Sequence, residues 1–137
     1  MAQEQSPTKL GYVCLAKLGA GTGGAAWSHI GCAGATFTCD EDFSQFGASG
    51  ADEIAANGFA RAAATMTTEQ TTIANDTIQA THQFTATGSQ DVYGFAVFNN
   101  ATKGQGDPLL SCKFAAVQSM QTDDKLTCTG KCQIKKD

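Results

Sequence analysis

The sequence contains six cysteines and two histidines, residue types that often bind zinc or act as nucleophiles. His29 lies three residues before Cys32, and Cys14 and Cys39 are nearby in the chain. The paired spacings that mark zinc sites, Cys-x-x-Cys and His-x3-His, do not occur in this sequence. Because no local signature of a Cys–His nucleophile occurs either, we expect no catalytic residue, no metal site and no enzymatic activity.

The cysteines are expected to be mainly reduced and buried, where they pack as small apolar side chains. Cys128 and Cys132 lie on one face of one predicted strand, and a rise of about 3.3 Å per residue separates them too widely for a disulfide. Cys112, on the preceding predicted strand, could meet one of them across the ladder. At least one disulfide, formed late or between subunits, stays an alternative.

A glycine-rich stretch, Gly19-x-Gly21-x-x-Gly24, follows an apolar segment and matches part of the fingerprint of dinucleotide-binding domains. Asp40 follows at a distance that could suit the acidic residue of that fingerprint. The fingerprint also requires a helix, and the intervening segment contains Gly31 and Gly34. We therefore predict a loop at 19–24 and no cofactor. A small enzyme or redox protein that uses this loop or the cysteines is the least favoured alternative.

Charge and hydropathy limit the classes of partner. The formal net charge is −4, and the basic residues are scattered singly, so we expect no nucleic-acid partner. No apolar run approaches the roughly 18 residues of a membrane span, so no membrane partner is expected. The first residues are polar where a signal peptide would be basic and then apolar, which predicts a protein made and used without secretion.

The elements that would position any site are mainly strands. The last strand alternates most clearly, since Leu126, Cys128 and Cys132 share one face while lysines and threonines share the other. In the second half, strands are predicted at 77–86, 92–98, 109–117 and 125–135. In the first half, strands are predicted at 10–18, 25–31, 35–40 and 59–66, with a loop or short helical turn at 41–51 and a turn at Asn57-Gly58.

This pattern predicts an all-β fold: an antiparallel β-sandwich, a jelly roll or a small β-barrel with an extended N-terminal arm. Residues 1–9 are polar and contain Pro7, so they are expected to be a flexible, unpaired arm. Residues 10–137 are expected to form a single β domain.

From about Gly50 onward, the sequence resembles a group of small virion structural proteins of tailed bacteriophages. In that group, a Gly-(Tyr/Phe)-Ala-Arg step leads into a strand, a Gly-hydrophobic-Phe-(Asn/Asp) strand ends at a turn, and an Asp-x-Leu strand closes the chain. The segments that carry the resemblance are Glu53-Ile54, Asn57-Gly58-Phe59-Ala60-Arg61, Phe84 to Gln90, Gly94 to Asn99, Leu109-Leu110 and Asp124 to Thr127.

The resemblance implies a capsid decoration (cement) protein or a tail, baseplate or fibre component. We favour decoration of the capsid exterior, because the chain is small, acidic and β-rich and offers no active site. The expected partners are then the major capsid protein and further copies of the chain, as a homotrimer, in a virion assembled in the bacterial host cytoplasm. The arm is expected to add a strand to a neighbour's sheet and to be dispensable for folding; its partner-binding residues would be Gln3, Glu4, Gln5, Ser6, Pro7, Thr8 and Lys9.

Overall fold

In the computed structural model, which describes residues 3–74 and 76–134, the chain forms two antiparallel β-sheets and one α-helix. The predicted all-β class with antiparallel sheets is confirmed. One sheet has five strands in the order β1-β7-β6-β2-β3, and the other has three in the order β4-β5-β8. The elements are β1 (Gln3–Pro7), α1 (Lys9–Ala20), β2 (His29–Ala33), β3 (Ala62–Ala63), β4 (Thr65–Glu69), β5 (Thr77–Thr85), β6 (Gln90–Phe98), β7 (Pro108–Met120) and β8 (Lys125–Gln133), with a 3₁₀ turn at Ala48–Gly50.

The second half of the chain forms the strands that its alternating pattern predicts. β6 and β7 make a hairpin in one sheet, whereas β5 and β8 pair in the other sheet from Thr77 with Gln133 to Thr85 with Lys125. Cys112 could have met a cysteine of β8 across a shared ladder, but it does not, because β7 and β8 belong to different sheets. The predicted end of the last strand at residue 135 lies outside the described residues.

The two sheets pack face to face around an apolar core. Burying one large aliphatic or aromatic side chain contributes about 1.5–3 kcal/mol on transfer from water. A smaller cluster on the opposite face of the five-stranded sheet packs Phe98 against Phe43 and Phe46, with Phe37 at its edge. The largest fully buried side chains of the main core include Phe59, Phe84, Phe95, Ile30, Leu110, Val92 and Val97.

Two features join the sheets along their sides. The chain passes from one sheet to the other between β3 and β4, and Ala64 at this switch donates a hydrogen bond to the segment ahead of β2 at 2.8 Å. On the other side, the Gln5 side-chain amide donates to the Thr129 carbonyl at 3.4 Å and accepts from the Lys131 N–H at 3.3 Å. Gln5 therefore ties the edge of β1 to the edge of β8.

Residues 10–18 lie in α1, so the strand predicted there is wrong. The Thr8 hydroxyl caps the helix by accepting from the Gly11 N–H at 2.9 Å. Gly21 ends it in the left-handed conformation, with φ of 67°, and donates to the Leu18 carbonyl. These are the usual start and stop signals of a helix, but apolar residues around the whole segment obscured its period. No helix of the described chain is long and apolar enough to cross a membrane.

The prediction of an unpaired arm is wrong for Gln3–Pro7, which forms β1. This strand pairs antiparallel with β7, from Gln3 with Phe114 to Pro7 with Leu110. A polar segment can do this because an edge strand keeps one side in water. Met1 and Ala2 lie outside the described residues. Removing residues 1–9 would take away a strand and the Thr8 cap, so we no longer expect the truncated chain to keep its fold.

The segment between β2 and β3 is mainly loop. The strand predicted at 35–40 does not form, and those predicted at 25–31 and 59–66 are shifted to β2 and to β3 with β4. The segment 41–51, predicted as a loop or a short helical turn, is loop with a 3₁₀ turn at Ala48–Gly50. Asn57 and Gly58 have positive φ angles of 57° and 85°, which fits the turn predicted there.

A buried ion pair, which we call the Arg61 clamp, holds these loops together. The Arg61 and Glu53 side chains are 2% and 0% exposed, and Arg61 Nε lies 2.9 Å from Glu53 Oε2. Arg61 also donates to the Asn100 and Gln105 carbonyls, and its guanidinium lies 3.8 Å from the centre of the Phe98 ring. The clamp thus satisfies a buried charge while fixing the loop between β6 and β7.

Candidate interaction surface

The strongest candidate site is an apolar groove beneath α1. Strand pairing places Thr68, Ile78 and Cys132 side by side in one row across the three-stranded sheet. Leu15 of α1 and Ile78 line two adjoining cavities at this row. We call the two cavities the Tyr12 lobe and the Trp27 lobe, and together the α1 groove.

The Tyr12 lobe lies between the first half of α1 and the end of β8. Its volume is about 370 Å³. Most of its wall is apolar, and the polar side-chain groups of the lining residues are the Gln133 amide, the Thr8 and Tyr12 hydroxyls and the Cys132 thiol. The lining residues are Pro7, Thr8, Gly11, Tyr12, Leu15, Ile78, Leu109, Cys132, Gln133 and Ile134.

The Trp27 lobe lies between the second half of α1, the segment ahead of β2, and β4. Its volume is about 500 Å³. Threonine hydroxyls are its polar side-chain groups, and the indole N–H of the lining residue Trp27 is covered. The lining residues are Leu15, Leu18, Ala26, Trp27, Met66, Thr67, Thr68 and Ile78.

Large apolar side chains around the α1 groove reach solvent. Tyr12 is 58% exposed, Ile134 is 50% exposed and Leu18 is 37% exposed. Contiguous apolar surface of this kind marks a contact site for another molecule more often than scattered single residues do. Val13, also exposed on α1, lines neither lobe.

The first half of α1 is firmly seated on β7. Gly11 packs so closely that a β-carbon there would lie 2.9 Å from the carbonyl oxygens of Pro108 and Leu109. The buried Cys14 thiol donates to the Ala25 carbonyl at 3.3 Å, and Asn99 donates to the Cys14 sulfur. The wall of the groove is therefore fixed by contacts that a larger residue at position 11 would disturb.

Trp27, one of the residues that line the Trp27 lobe, carries a buried hydrogen-bond donor. The residue is only 6% exposed, and its indole N–H is buried without a partner in the described part of the chain. Buried polar groups in proteins are nearly always hydrogen-bonded, and leaving one unpaired costs about 1–3 kcal/mol. An acceptor brought into this lobe could remove that cost.

Asp76 organises the rim of the groove between β4 and β5. Its carboxylate accepts from the backbone N–H groups of Thr71, Thr72 and Ile73, and from the Gln133 amide at 2.9 Å. Burial acts to raise the Asp76 pKa, but the hydrogen bonds from Gln133 and these N–H groups outweigh it and hold the pKa well below its usual range. Gln133 lines the Tyr12 lobe, so Asp76 fixes one of its polar groups.

The structure contains the cysteines as thiols. Burial raises the pKa of Cys112 to about 12 and also raises the pKa of Cys132. Burial, followed by the neighbouring Cys128 thiol, raises the pKa of Cys32 well above its usual value. Only the thiolate is a strong nucleophile or metal ligand, so burial disfavours the reactive form of these three side chains.

The glycine stretch and the histidine do not assemble a cofactor or metal site. Gly19 and Gly21 lie at the C-terminus of α1, where carbonyls rather than N–H groups point outward, and a dinucleotide phosphate needs the opposite end of a helix. His29 and Cys32 are three residues apart on β2 and so point to opposite faces. Within 3–74 and 76–134, no group of three or more His, Cys, Asp or Glu side chains could hold a metal ion.

The seven residues expected to bind a partner are divided by the structure. Gln3, Glu4, Gln5, Ser6 and Pro7 belong to β1; Gln5 is engaged with β8, and Pro7 also lines the Tyr12 lobe. Thr8 is the buried cap of α1. Lys9, the first helical residue, forms exposed ion pairs with Glu41 and Asp42.

Sequence reasoning missed the α1 groove because it assigned residues 10–18 to a strand. The missed signal was the pair Thr8 and Gly21, a helix start and stop flanking an apolar segment.

No family model, no curated protein and no solved structure matches this chain.

Proposed function

We propose that this chain is a non-enzymatic decoration protein of a bacteriophage capsid, which binds the outer shell through the α1 groove and stabilises it. The observation that carries the proposal is the α1 groove itself: exposed apolar side chains on a helix seated firmly on a β-sandwich. The protonated state of the buried thiols supports a binding role over a redox role.

The groove can supply binding energy by excluding water. Each 100 Å² of apolar surface that it buries contributes about 2.5 kcal/mol, before the cost of association is subtracted. A protein that binds the assembled shell, and not its separated subunits, stabilises the assembled form by mass action. Many weak contacts, one for each bound copy, would then add to a large effect on the particle.

The partner, symmetry and location follow the resemblance to virion proteins. The proposed partner is the major capsid protein, and the proposed arrangement is a homotrimer on the capsid exterior, assembled in the bacterial host cytoplasm. With β1 tied into its own sheet, the proposed contact moves from the N-terminal residues to the α1 groove.

Copy number tests the location. Quantitative mass spectrometry of purified virions should give a ratio to the major shell protein near one per subunit, which corresponds to a coat. A few copies per particle would instead assign the chain to the tail, baseplate or fibre. Absence from the particle would overturn a virion role.

Cosedimentation with shells that lack the protein tests the surface. Tyr12→Glu places a charge on the exposed edge of the groove and should weaken binding by about tenfold or more. Val13→Glu is the matched control, because Val13 is 52% exposed on the same helix but lines neither lobe. Equal binding by the two variants would contradict the proposed surface.

A further inference from the structure

The four strand edges of the sandwich differ in how they are protected. β1 and β8 face each other through the Gln5 amide, and β3 has only two residues. β4 is longer, and in the described chain no strand pairs with its second edge. It contains no proline and no lysine, and Glu69 at its end is its charged residue. Proteins usually protect an exposed edge with such residues, with a bulge or with a covering element.

The second edge of β4 borders the Trp27 lobe. Alternate residues of a strand direct their peptide groups to opposite edges. Ala64 donates toward the segment ahead of β2, so Met66, two residues on, directs its N–H and carbonyl to the same side. There Ala26, Trp27 and Leu18 stand across a cavity of about 500 Å³ instead of a paired strand.

Three features of the β4 edge and the Trp27 lobe therefore suit the same kind of ligand. Met66 on the edge of β4 offers a peptide donor and acceptor, the lobe offers apolar walls, and Trp27 offers a buried N–H that has no partner among the described residues. An extended polypeptide supplies carbonyls, N–H groups and alternating side chains together. A helix satisfies its own peptide groups and would leave the edge unpaired.

We propose that an extended segment of another protein adds to β4 as a further strand, inserts apolar side chains into the Trp27 lobe and accepts a hydrogen bond from Trp27 Nε1. The Trp27 N–H is covered, so a lining side chain must move first, and the unbranched Met66 can change rotamer at low cost. The acidic chain, with Glu69 at the end of β4, favours a neutral or basic segment.

A second copy of this chain is the less suitable donor. A second copy could pair edge to edge through its own β4 without unpairing a strand, but that strand consists of three threonines, one methionine and one glutamate, so it has few apolar side chains to insert into the lobe. If the proposed function holds, on which this identification rests, the donor is a segment of the shell subunit. The chain then receives a strand from the capsid, the reverse of the arm donation that its sequence suggested.

A synthetic peptide tests strand addition without a capsid. The probe is the blocked peptide Ac-Lys-Val-Thr-Val-Thr-Val-Lys-NH2, and the control replaces its central valine with proline, which removes a ladder N–H and disfavours pairing. The full chain has one tryptophan, so its indole gives a single N–H signal in an NMR spectrum. With the valine peptide this signal should move downfield, and exchange of the Met66 amide should slow by about tenfold. The proline peptide should produce neither change.

A variant pair localises the contact. Leu18→Glu puts a charge into the Trp27 lobe and should abolish both responses, whereas Val13→Glu on the same helix should keep them. The proposal is overturned if the valine peptide gives no response, or if both peptides bind without protecting Met66.

The outcomes separate this inference from the proposed function. Peptide binding at β4 by a protein that decorates no shell would keep the inference and reject the capsid role. Shell binding that is lost in Tyr12→Glu, together with no peptide response, would keep the capsid role and reject strand addition.

Discussion

The Arg61 clamp and the α1 groove differ in the solvent exposure of their apolar side chains. At the clamp, a buried ion pair draws loops over Phe98 and its aromatic neighbours, and no large aromatic side chain of that cluster is exposed. At the groove, Tyr12, Leu18 and Ile134 stay in contact with water although the helix beneath them is well anchored. Loops of this chain therefore cover the apolar surface at the clamp. At the groove, a partner would have to cover it.

Breaking the clamp should have the largest effect. Arg61→Ala leaves the Glu53 carboxylate buried without its partner, which typically costs about 3–5 kcal/mol of unfolding free energy. Urea denaturation followed by circular dichroism measures this loss. Lys9→Ala, which removes only exposed ion pairs, is the control and should change little. An equal loss in the two variants would mean that the clamp has no special role.

Displacing α1 should have the next largest effect. Gly11→Ala places a methyl group against the Pro108 and Leu109 carbonyls, so it should destabilise the fold by about 1–3 kcal/mol and weaken shell binding. Gly19→Ala is the matched control in the same helix, because its β-carbon meets nothing within 4 Å. Higher helix propensity should make Gly19→Ala neutral or stabilising by up to about 1 kcal/mol. Thermal unfolding of the pair distinguishes close packing from helix propensity, and equal stability would refute the seating of α1 on β7.

Acid should weaken the rim of the groove through Asp76. The folded-state pKa lies below the unfolded value, so the stabilisation is complete above about pH 4–5 and is lost as pH falls through the lowered pKa. Asp76→Asn lacks this contribution, and its deficit relative to the unmodified chain should shrink between pH 5 and about pH 2. Urea denaturation across this range measures the difference. The exposed Asp91→Asn is the control, and a deficit for Asp76→Asn that does not change with pH would contradict the assignment.

The smallest effect concerns the thiols. Cys132 lines the groove, whereas Cys112 is fully buried and burial raises its pKa to about 12. Iodoacetamide at about pH 8, followed by mass spectrometry, should modify Cys132 before Cys112 in the native chain. Both should react quickly in urea. Earlier reaction of Cys112 would show that the reagent does not reach the core cysteines through the groove.

The second half of the chain was predictable because its signal is local. In β8, the buried Cys128 and Cys132 alternate with exposed lysines because only one face of the strand is buried. The pairing partners of the strands were not predictable from local sequence. β5 pairs with β8, although the β6–β7 hairpin lies between them in the chain.

The first half was harder because tertiary contacts decide its structure. Nothing in the polar run Gln3–Pro7 shows that the outer edge of β7 is available to it. The α1 groove was missed for a related reason: its two lobes combine residues from α1, the segment ahead of β2, β4, β5 and β8. Its chemistry, an apolar wall beside an indole N–H that is unpaired among the described residues, exists only after those segments meet.

The pairing of β1 with β7 also sets the order in which the molecule can be completed during synthesis. Gln3 leaves the ribosome long before Phe114, its partner, and at about 5–20 residues per second the first strand waits for several seconds. The Tyr12 lobe waits longer still, since Gln133 and Ile134 form part of its wall. A nascent chain therefore cannot complete the Tyr12 lobe before its last strand has been synthesised, whereas the residues of the Trp27 lobe are all present once Ile78 has been added.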